Sequence, residues 1–161
     1  MKIYCLKRCQ FLPISQEEAW DFFSSPRNLS KITPGYMEFE IKSISGREQM
    51  YAGQMIHYKL NVLPGIPTRW VTEITHVREL EYFVDEQRIG PYALWNHQHF
   101  FKAVEGGVEM RDEVHYALPL GALGQVAHWL FVQREINAIF NYRFEMLESL
   151  FSKHNRLSKT A

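Results

Sequence analysis

Apolar and polar side chains alternate with a period of two between residues 37 and 117, and turn residues interrupt this alternation at short intervals. The pattern predicts six strands, at 37–45, 54–63, 68–77, 80–88, 94–104 and 107–117. Residues 2–11 predict a seventh strand ahead of them. The connections among the six are too short for parallel crossovers, which need about a dozen residues, so neighbouring strands should pair antiparallel.

Two short helices are expected between the first and second strands. Ser15 is followed three residues later by Glu18, the spacing of a capping box, so a helix should begin there and end before Pro26. A second helix over residues 27–32 should end at Thr33, because a residue that precedes proline is pushed out of the α region.

A long helix should follow residue 121 and end near residue 153. Its apolar residues recur at helical intervals, at Val126, Leu130, Ile136, Phe140, Phe144, Leu147 and Phe151. At 1.5 Å per residue the helix would be about 45 Å long, enough to cross a small domain. A long helix against a curved sheet should leave a gap between them.

Length and composition fit one globular domain. The chain has 161 residues, of which 46% are hydrophobic and 14% aromatic, and we expect a single domain over 1–153 with a polar tail over 154–161. Eighteen basic residues balance eighteen acidic ones without a basic cluster, which argues against a nucleic-acid partner.

Cysteine usage and the N-terminus indicate a cytoplasmic protein. Cys5 and Cys9 would lie about 13 Å apart on an extended strand, beyond disulfide range, so both should be free thiols. The N-terminal residues lack the apolar core of a signal peptide, and no apolar stretch is long enough for stable membrane insertion. We expect a monomer or a weak homodimer.

Strand parity predicts which side chains face the interior. On 107–117 the inward set is Val108, Met110, Asp112, Val114 and Tyr116, and on 94–104 it is Trp95, His97, His99 and Phe101. Hairpin register then sets Asp85 opposite His97, Gln87 opposite Trp95, His99 near Asp112, and Trp95 near Tyr116. Two Asp–His pairs should therefore lie inside an apolar cup.

These pairs allow three interpretations. An aspartate beside a histidine could orient the ring as a general base, which makes His97, His99, Asp85 and Asp112 the candidate catalytic residues. The same groups could instead form a satisfied buried hydrogen-bond network. A His-X-His pair with nearby carboxylates could also bind zinc, but neither cysteine nor HExxH-like spacing supports a metal, so we predict neither metal nor cofactor.

The predicted ligand-binding residues combine the inward aromatic side chains with these polar groups. They are Tyr58, Trp70, Phe83, Asp85, Gln87, Trp95, His97, His99, Phe101, Met110, Asp112, Tyr116 and Phe140.

The order of elements resembles the helix-grip fold of the START-like superfamily, also called SRPBCC, which includes the birch-pollen allergen group. The resemblance runs from FLPISQEEAWDFFSSPRNLSKITP through FVDEQRIGPYALWNHQHFF and MRDEVHYALPLG to the final helix, and these segments are similar to the bacterial ligand-binding or polyketide cyclase/dehydrase-like branch. It implies an α+β fold, with seven curved antiparallel strands around the long C-terminal helix.

The resemblance also implies two classes of function. One is a carrier or sensor that holds a small hydrophobic molecule, lipid-like or polyketide-like and aromatic, in an internal cavity. The alternative is a cyclase, dehydratase or isomerase that uses an inward histidine as general base on a polyketide-like substrate and needs no metal. Because one fold hosts both classes, the resemblance does not choose between them.

Overall fold

The computed structural model describes residues 1–63 and 65–158. Within them, seven antiparallel strands form one sheet in the order β1-β7-β6-β5-β4-β3-β2. The strands are β1 (Tyr4–Leu12), β2 (Glu40–Ile44), β3 (Gln54–Leu63), β4 (Ile66–Arg78), β5 (Tyr82–Ile89), β6 (Leu94–Val104) and β7 (Gly107–Ala117). The predicted sheet is confirmed, and the bounds of β3, β6 and β7 agree with the predicted ones.

The second strand begins later than its alternation indicates. Gly35–Met37 forms a turn of 3₁₀ helix, and Glu38 then adopts a left-handed conformation with φ of 45°. The chain therefore becomes extended only at Glu40, and the predicted start at residue 37 is wrong. The turn set up by Pro34 and Gly35 outweighs the apolar alternation that follows it.

Both short helices form where they are predicted. In α1 (Gln16–Phe23) the backbone N–H of Glu18 donates to Ser15 Oγ at 3.1 Å, and the Ser15 N–H donates to Glu18 Oε2 at 2.9 Å. This reciprocal pair confirms the capping box. The second helix, Pro26–Ile32, is a 3₁₀ helix.

The C-terminal helix has three parts, α2 (Gly121–Ala127), a π-helical turn (His128–Val132) and α3 (Gln133–Ser158). Ile136, Phe140 and Leu147 are buried as expected, but Val126 and Leu130 are about half exposed. A π turn holds more residues than an α turn, so it rotates the earlier apolar positions away from the sheet. The helix also continues to Ser158, past the predicted end, and residues 159–161 of the predicted tail lie outside the described residues.

Three apolar clusters join the helices to the sheet. Leu147 packs with α1 and the β1–β7 end of the sheet, while Ile136 and Phe140 pack against Val114 and Tyr116 on β7. The third cluster centres on β3 and β4. Register shifts interrupt the pairing of β2, β3 and β4, and such irregularities add local bend and twist to a sheet. The described helices contain no apolar stretch suited to crossing a bilayer.

The β1–β7 pair leaves no room for a side chain at Gly107. A Cβ added there would lie 2.2 Å from the Leu12 carbonyl oxygen, so Gly107→Ala should push β1 away and lower the free energy of unfolding by about 1–3 kcal/mol. Gly35→Ala is the matched control, because a Cβ there meets no atom within 4 Å. Urea unfolding of both variants checks this, and equal stabilities would contradict it.

Candidate functional site

A cavity of about 160 Å³ lies between the concave face of the sheet and α3. Its walls come from β3, β4, β5, β6, α3 and the short helices after β1. Most of the wall is apolar, formed by side chains such as Leu60, Ile74, Ile136, Ile139 and Phe140. The cavity therefore favours an apolar occupant.

Aromatic rings close one side of this cavity. Trp70 on β4 meets Trp95 on β6 edge to face, with ring centroids 5.3 Å apart, and Tyr92 lies 4.8 Å from Trp95. The Trp70 indole N–H donates to Thr72 Oγ1 at 3.1 Å. Its polar atom is thus satisfied within the protein, and its ring is left to form the wall.

The polar part of the wall follows from strand register. Asp85 on β5 lies opposite His97 on β6, and His99 lies opposite Asp112 on β7, so the predicted register is confirmed. Trp95 also lies opposite Tyr116, as predicted. All four histidine and aspartate side chains consequently project from the concave face toward one another.

The hydrogen bonds of this group join diagonal partners instead of opposite ones. The Nε2–H of His97 donates to Asp112 Oδ1 at 3.0 Å, and the Nε2–H of His99 donates to Asp85 Oδ2 at 3.0 Å. The Nδ1 atoms of the two histidines complete a closed set of contacts among the four residues. His99 Nδ1 lies 2.8 Å from Asp112 Oδ1, and His97 Nδ1 lies 3.6 Å from Asp85 Oδ2. Among the described residues His99 Nδ1 has no aligned hydrogen-bond acceptor, so its approach to Asp112 is a charge contact. We call these four residues the His–Asp tetrad.

The pKa values of the two histidines of the tetrad are shifted in opposite directions. Burial and the neighbouring charge of His99 lower the pKa of His97. Burial alone would also lower the pKa of His99, but its contacts with Asp112 and Asp85 outweigh this and raise it. Burial opposes ionisation of Asp112, yet hydrogen bonds from both histidines hold its pKa well below the usual range. A proton on this pair therefore favours His99 over His97.

Arg143 on α3 adds a second buried cation. It lines the cavity with its Nη1 3.9 Å from Asp112 Oδ2, and its guanidinium lies over the Phe140 ring at 5.0 Å. Its buried Nε finds no hydrogen-bond partner within the described part of the chain. When His99 is protonated, Arg143 and His99 together balance the charges of Asp85 and Asp112.

Eight of the thirteen predicted ligand-binding residues line the cavity: Tyr58, Trp70, Phe83, Asp85, Trp95, His97, His99 and Phe140. Asp112 lies one layer behind, between the histidines and Arg143. The structure thus brings together the four candidate catalytic residues, three of them on the cavity wall.

The other four predicted residues do not line this cavity. Phe101 and Met110 belong to the core beneath α1. The Tyr116 hydroxyl pairs with His128 Nε2 at 2.9 Å, and Gln87 Nε2 donates to the Tyr92 carbonyl at 2.7 Å. Parity selects the inner face of a strand, but it does not say how far along that strand the cavity extends.

Sequence reasoning missed Arg143 and the wall residues of the short helices, such as Leu29, Ile32 and Met37. A signal for Arg143 was present, because it lies three residues after Phe140 and four before Leu147, on the buried face of the helix. No periodic pattern indicates the others, because they lie on short helices and turns.

Two groups of side chains within the described residues could hold a metal ion. One consists of Asp85, His97 and His99 at the cavity, and the other of Cys5, Glu113 and His115 on the outer face of the sheet. Cys5 and Cys9 are both free and exposed, as expected.

Comparison with solved structures identifies the fold. The chain is similar to the protein TTHA0849 from Thermus thermophilus, with a TM-score of 0.66 and 16% identity over 91% of this chain and 95% of that one. It is also similar to Ara h 8.0201, with a TM-score of 0.64 and 13% identity over 94% and 99% of the two chains. The KanY protein (ms6282) gives a TM-score of 0.71 and 12% identity over 94% and 99%.

The predicted helix-grip fold of the START-like proteins is therefore confirmed. No protein-family model matches the sequence, and no curated protein matches it. At these identities the likeness is one of fold, so function has to be inferred from the cavity and the His–Asp tetrad.

Asp112 should contribute much of the stabilisation that the tetrad gives to the folded protein. Asp112→Asn keeps its shape but removes the charge that His99 and Arg143 face, and should cost on the order of 3 kcal/mol of unfolding free energy. The neighbouring Glu113→Gln is the matched control, because Glu113 pairs with the largely exposed Lys7 and should cost less than about 1 kcal/mol. Denaturant unfolding of both variants measures these losses. Equal losses of unfolding free energy would contradict this prediction.

Proposed function

We propose that this protein binds a small hydrophobic molecule in its internal cavity and acts as an intracellular carrier or sensor. The observation that carries this proposal is a cavity with an apolar wall and one polar corner, where Asp85, His97, His99 and Arg143 meet. Such a combination is typical of small-molecule sites, in which apolar area supplies affinity and a few polar groups set orientation.

The size of the cavity limits the ligand. About 160 Å³ is the volume at which an apolar cavity admits a single aromatic ring. The aromatic wall of Trp70, Tyr92 and Trp95 can pack edge or face against a flat ligand. A compact aromatic or polyketide-like molecule therefore fits better than an extended lipid chain.

The polar corner would set the orientation of the bound ligand. Arg143 offers N–H donors, whereas Asp85 offers carboxylate oxygens. A ligand that carries a carbonyl or hydroxyl group at one end could supply a hydrogen-bond acceptor for Arg143. Its apolar remainder would then extend toward Leu60 and Ile139.

The fold and the cysteines agree with this function without deciding it. Proteins of this fold commonly hold hydrophobic ligands between sheet and helix, and free surface cysteines suit a reducing compartment.

A second candidate is a cyclase or dehydratase. The observation that favours it is His97, which lines the cavity while Asp112 orients its ring through Nε2. In this interpretation His97→Ala abolishes turnover of a polyketide-like substrate, whereas in a carrier the same change alters only affinity or stability.

Native mass spectrometry of the purified protein tests the proposed function. We expect a small molecule bound at one copy per chain, which organic extraction would release for identification. A bare mass, together with no thermal shift across a library of lipids and aromatic polyketides, would contradict the proposal.

Filling the cavity provides a second test. Ile139→Trp adds an indole at the cavity wall and should weaken the binding of phenol about tenfold or more, measured by calorimetry. Ala138→Trp places the same indole at the adjacent, exposed position of the helix and should leave the affinity for the probe unchanged. Equal affinities in the two variants would show that the probe binds elsewhere.

A further inference from the structure

Three side chains of the His–Asp tetrad present their donor atoms to one point. Asp85 Oδ2 lies 3.0 Å from His99 Nε2 and 3.6 Å from His97 Nδ1. Each of the three residues offers one ligand atom within 4.8 Å of those of the other two. Ligand atoms held tetrahedrally at about 2.0–2.1 Å from one zinc ion are separated by roughly 3.3 Å. The two separations from Asp85 Oδ2 are therefore close to the spacing of ligands to one ion.

The contact between His97 and Asp85 brings two acceptors together. His97 uses its Nε2–H to donate to Asp112, because a carboxylate only accepts. In the neutral ring Nδ1 is then a bare lone pair, and it faces the Asp85 carboxylate at 3.6 Å, beyond hydrogen-bond distance. Two facing acceptors attract a cation placed between them.

Asp112 occupies the position of a supporting carboxylate. It contacts the nitrogen of each histidine that points away from Asp85, Nε2 of His97 at 3.0 Å and Nδ1 of His99 at 2.8 Å. Histidines that bind metal commonly pair their other nitrogen with a carboxylate, which fixes the orientation of the ring. Arg143 partly balances the Asp112 charge from behind, at 3.9 Å.

The three donor residues line the cavity, whereas Asp112 lies behind them. An ion bound by three protein ligands keeps an open coordination position, and here that position would face the cavity. Sequence spacing alone did not support a metal, because cysteine ligands and HExxH-like spacing are lacking, but the pairing of β5 with β6 brings the third ligand to the His-X-His pair.

From this geometry we propose that Asp85, His97 and His99 form a binding site for a divalent transition metal, supported by Asp112. Zinc would take the place of the proton that His99 Nε2 shares with Asp85, and this proton is released on binding. Neutral imidazole and carboxylate suit zinc, so zinc is the probe of choice. The site does not depend on a hydrophobic ligand: zinc binding is measured on the ligand-free protein, and its failure would leave the carrier function intact.

Calorimetric titration of zinc into chelator-treated full-length protein tests the site. We expect one ion per chain with micromolar or tighter affinity. Asp85→Asn combined with His97→Gln should abolish binding, and Asp112→Asn should weaken it by about 10–100-fold. Circular dichroism establishes that each variant is folded under the titration conditions.

His115→Ala is the matched control. It removes the other possible metal group, Cys5, Glu113 and His115, and should leave zinc binding unchanged. Cobalt substitution of the unmutated protein gives a readout that needs no folded variant, because the proposed site predicts ligand-field bands without a thiolate charge-transfer band. Absence of zinc binding, its loss in His115→Ala, or a cobalt–thiolate band from the bound ion would overturn the proposal.

Discussion

The register of three neighbouring strands is the constraint on which the site depends. Pairing of β5 with β6 and of β6 with β7 brings Asp85, His97, His99 and Asp112 to the same face of the sheet. A slip of one residue in either pair would turn one partner outward and leave a buried histidine or aspartate without its counter-charge. The polar tetrad therefore favours the correct register, as do the apolar residues beside it.

The same constraint explains how charged groups persist in an apolar cavity. Asp112 is almost fully buried, and an unpaired carboxylate there would be strongly unfavourable. His97, His99 and Arg143 surround it and offset its negative charge. Among the described residues this leaves a polar corner with two nitrogens that lack an aligned hydrogen-bond partner, Arg143 Nε and His99 Nδ1, and one pair of facing acceptors, at His97 and Asp85. Both features make this corner the place where a bound group would be held.

Much of the fold could be predicted from the sequence because its causes are local. Alternation located the strands, short connections made them antiparallel, and the capping box located α1. The start of β2 and the exposure of Val126 and Leu130 could not be predicted, because a 3₁₀ turn and a π turn override the apolar pattern there. The tetrad could be predicted as two opposite pairs, since turns set register. Its diagonal hydrogen bonds depend on rotamers that no sequence pattern encodes, and the contribution of Arg143 depends on how α3 lies across the sheet.

The central claim is that an open apolar space lies between the sheet and α3, next to the tetrad. A crystal structure of the protein under xenon pressure tests this most directly, because xenon enters empty apolar cavities. Once any bound ligand has been extracted, we expect xenon in contact with Ile74, Ile139 and Phe140, with the side chains of Asp85, His97 and His99 beside it. A structure without xenon, in which α3 has moved toward the sheet and its side chains fill the space, would contradict it.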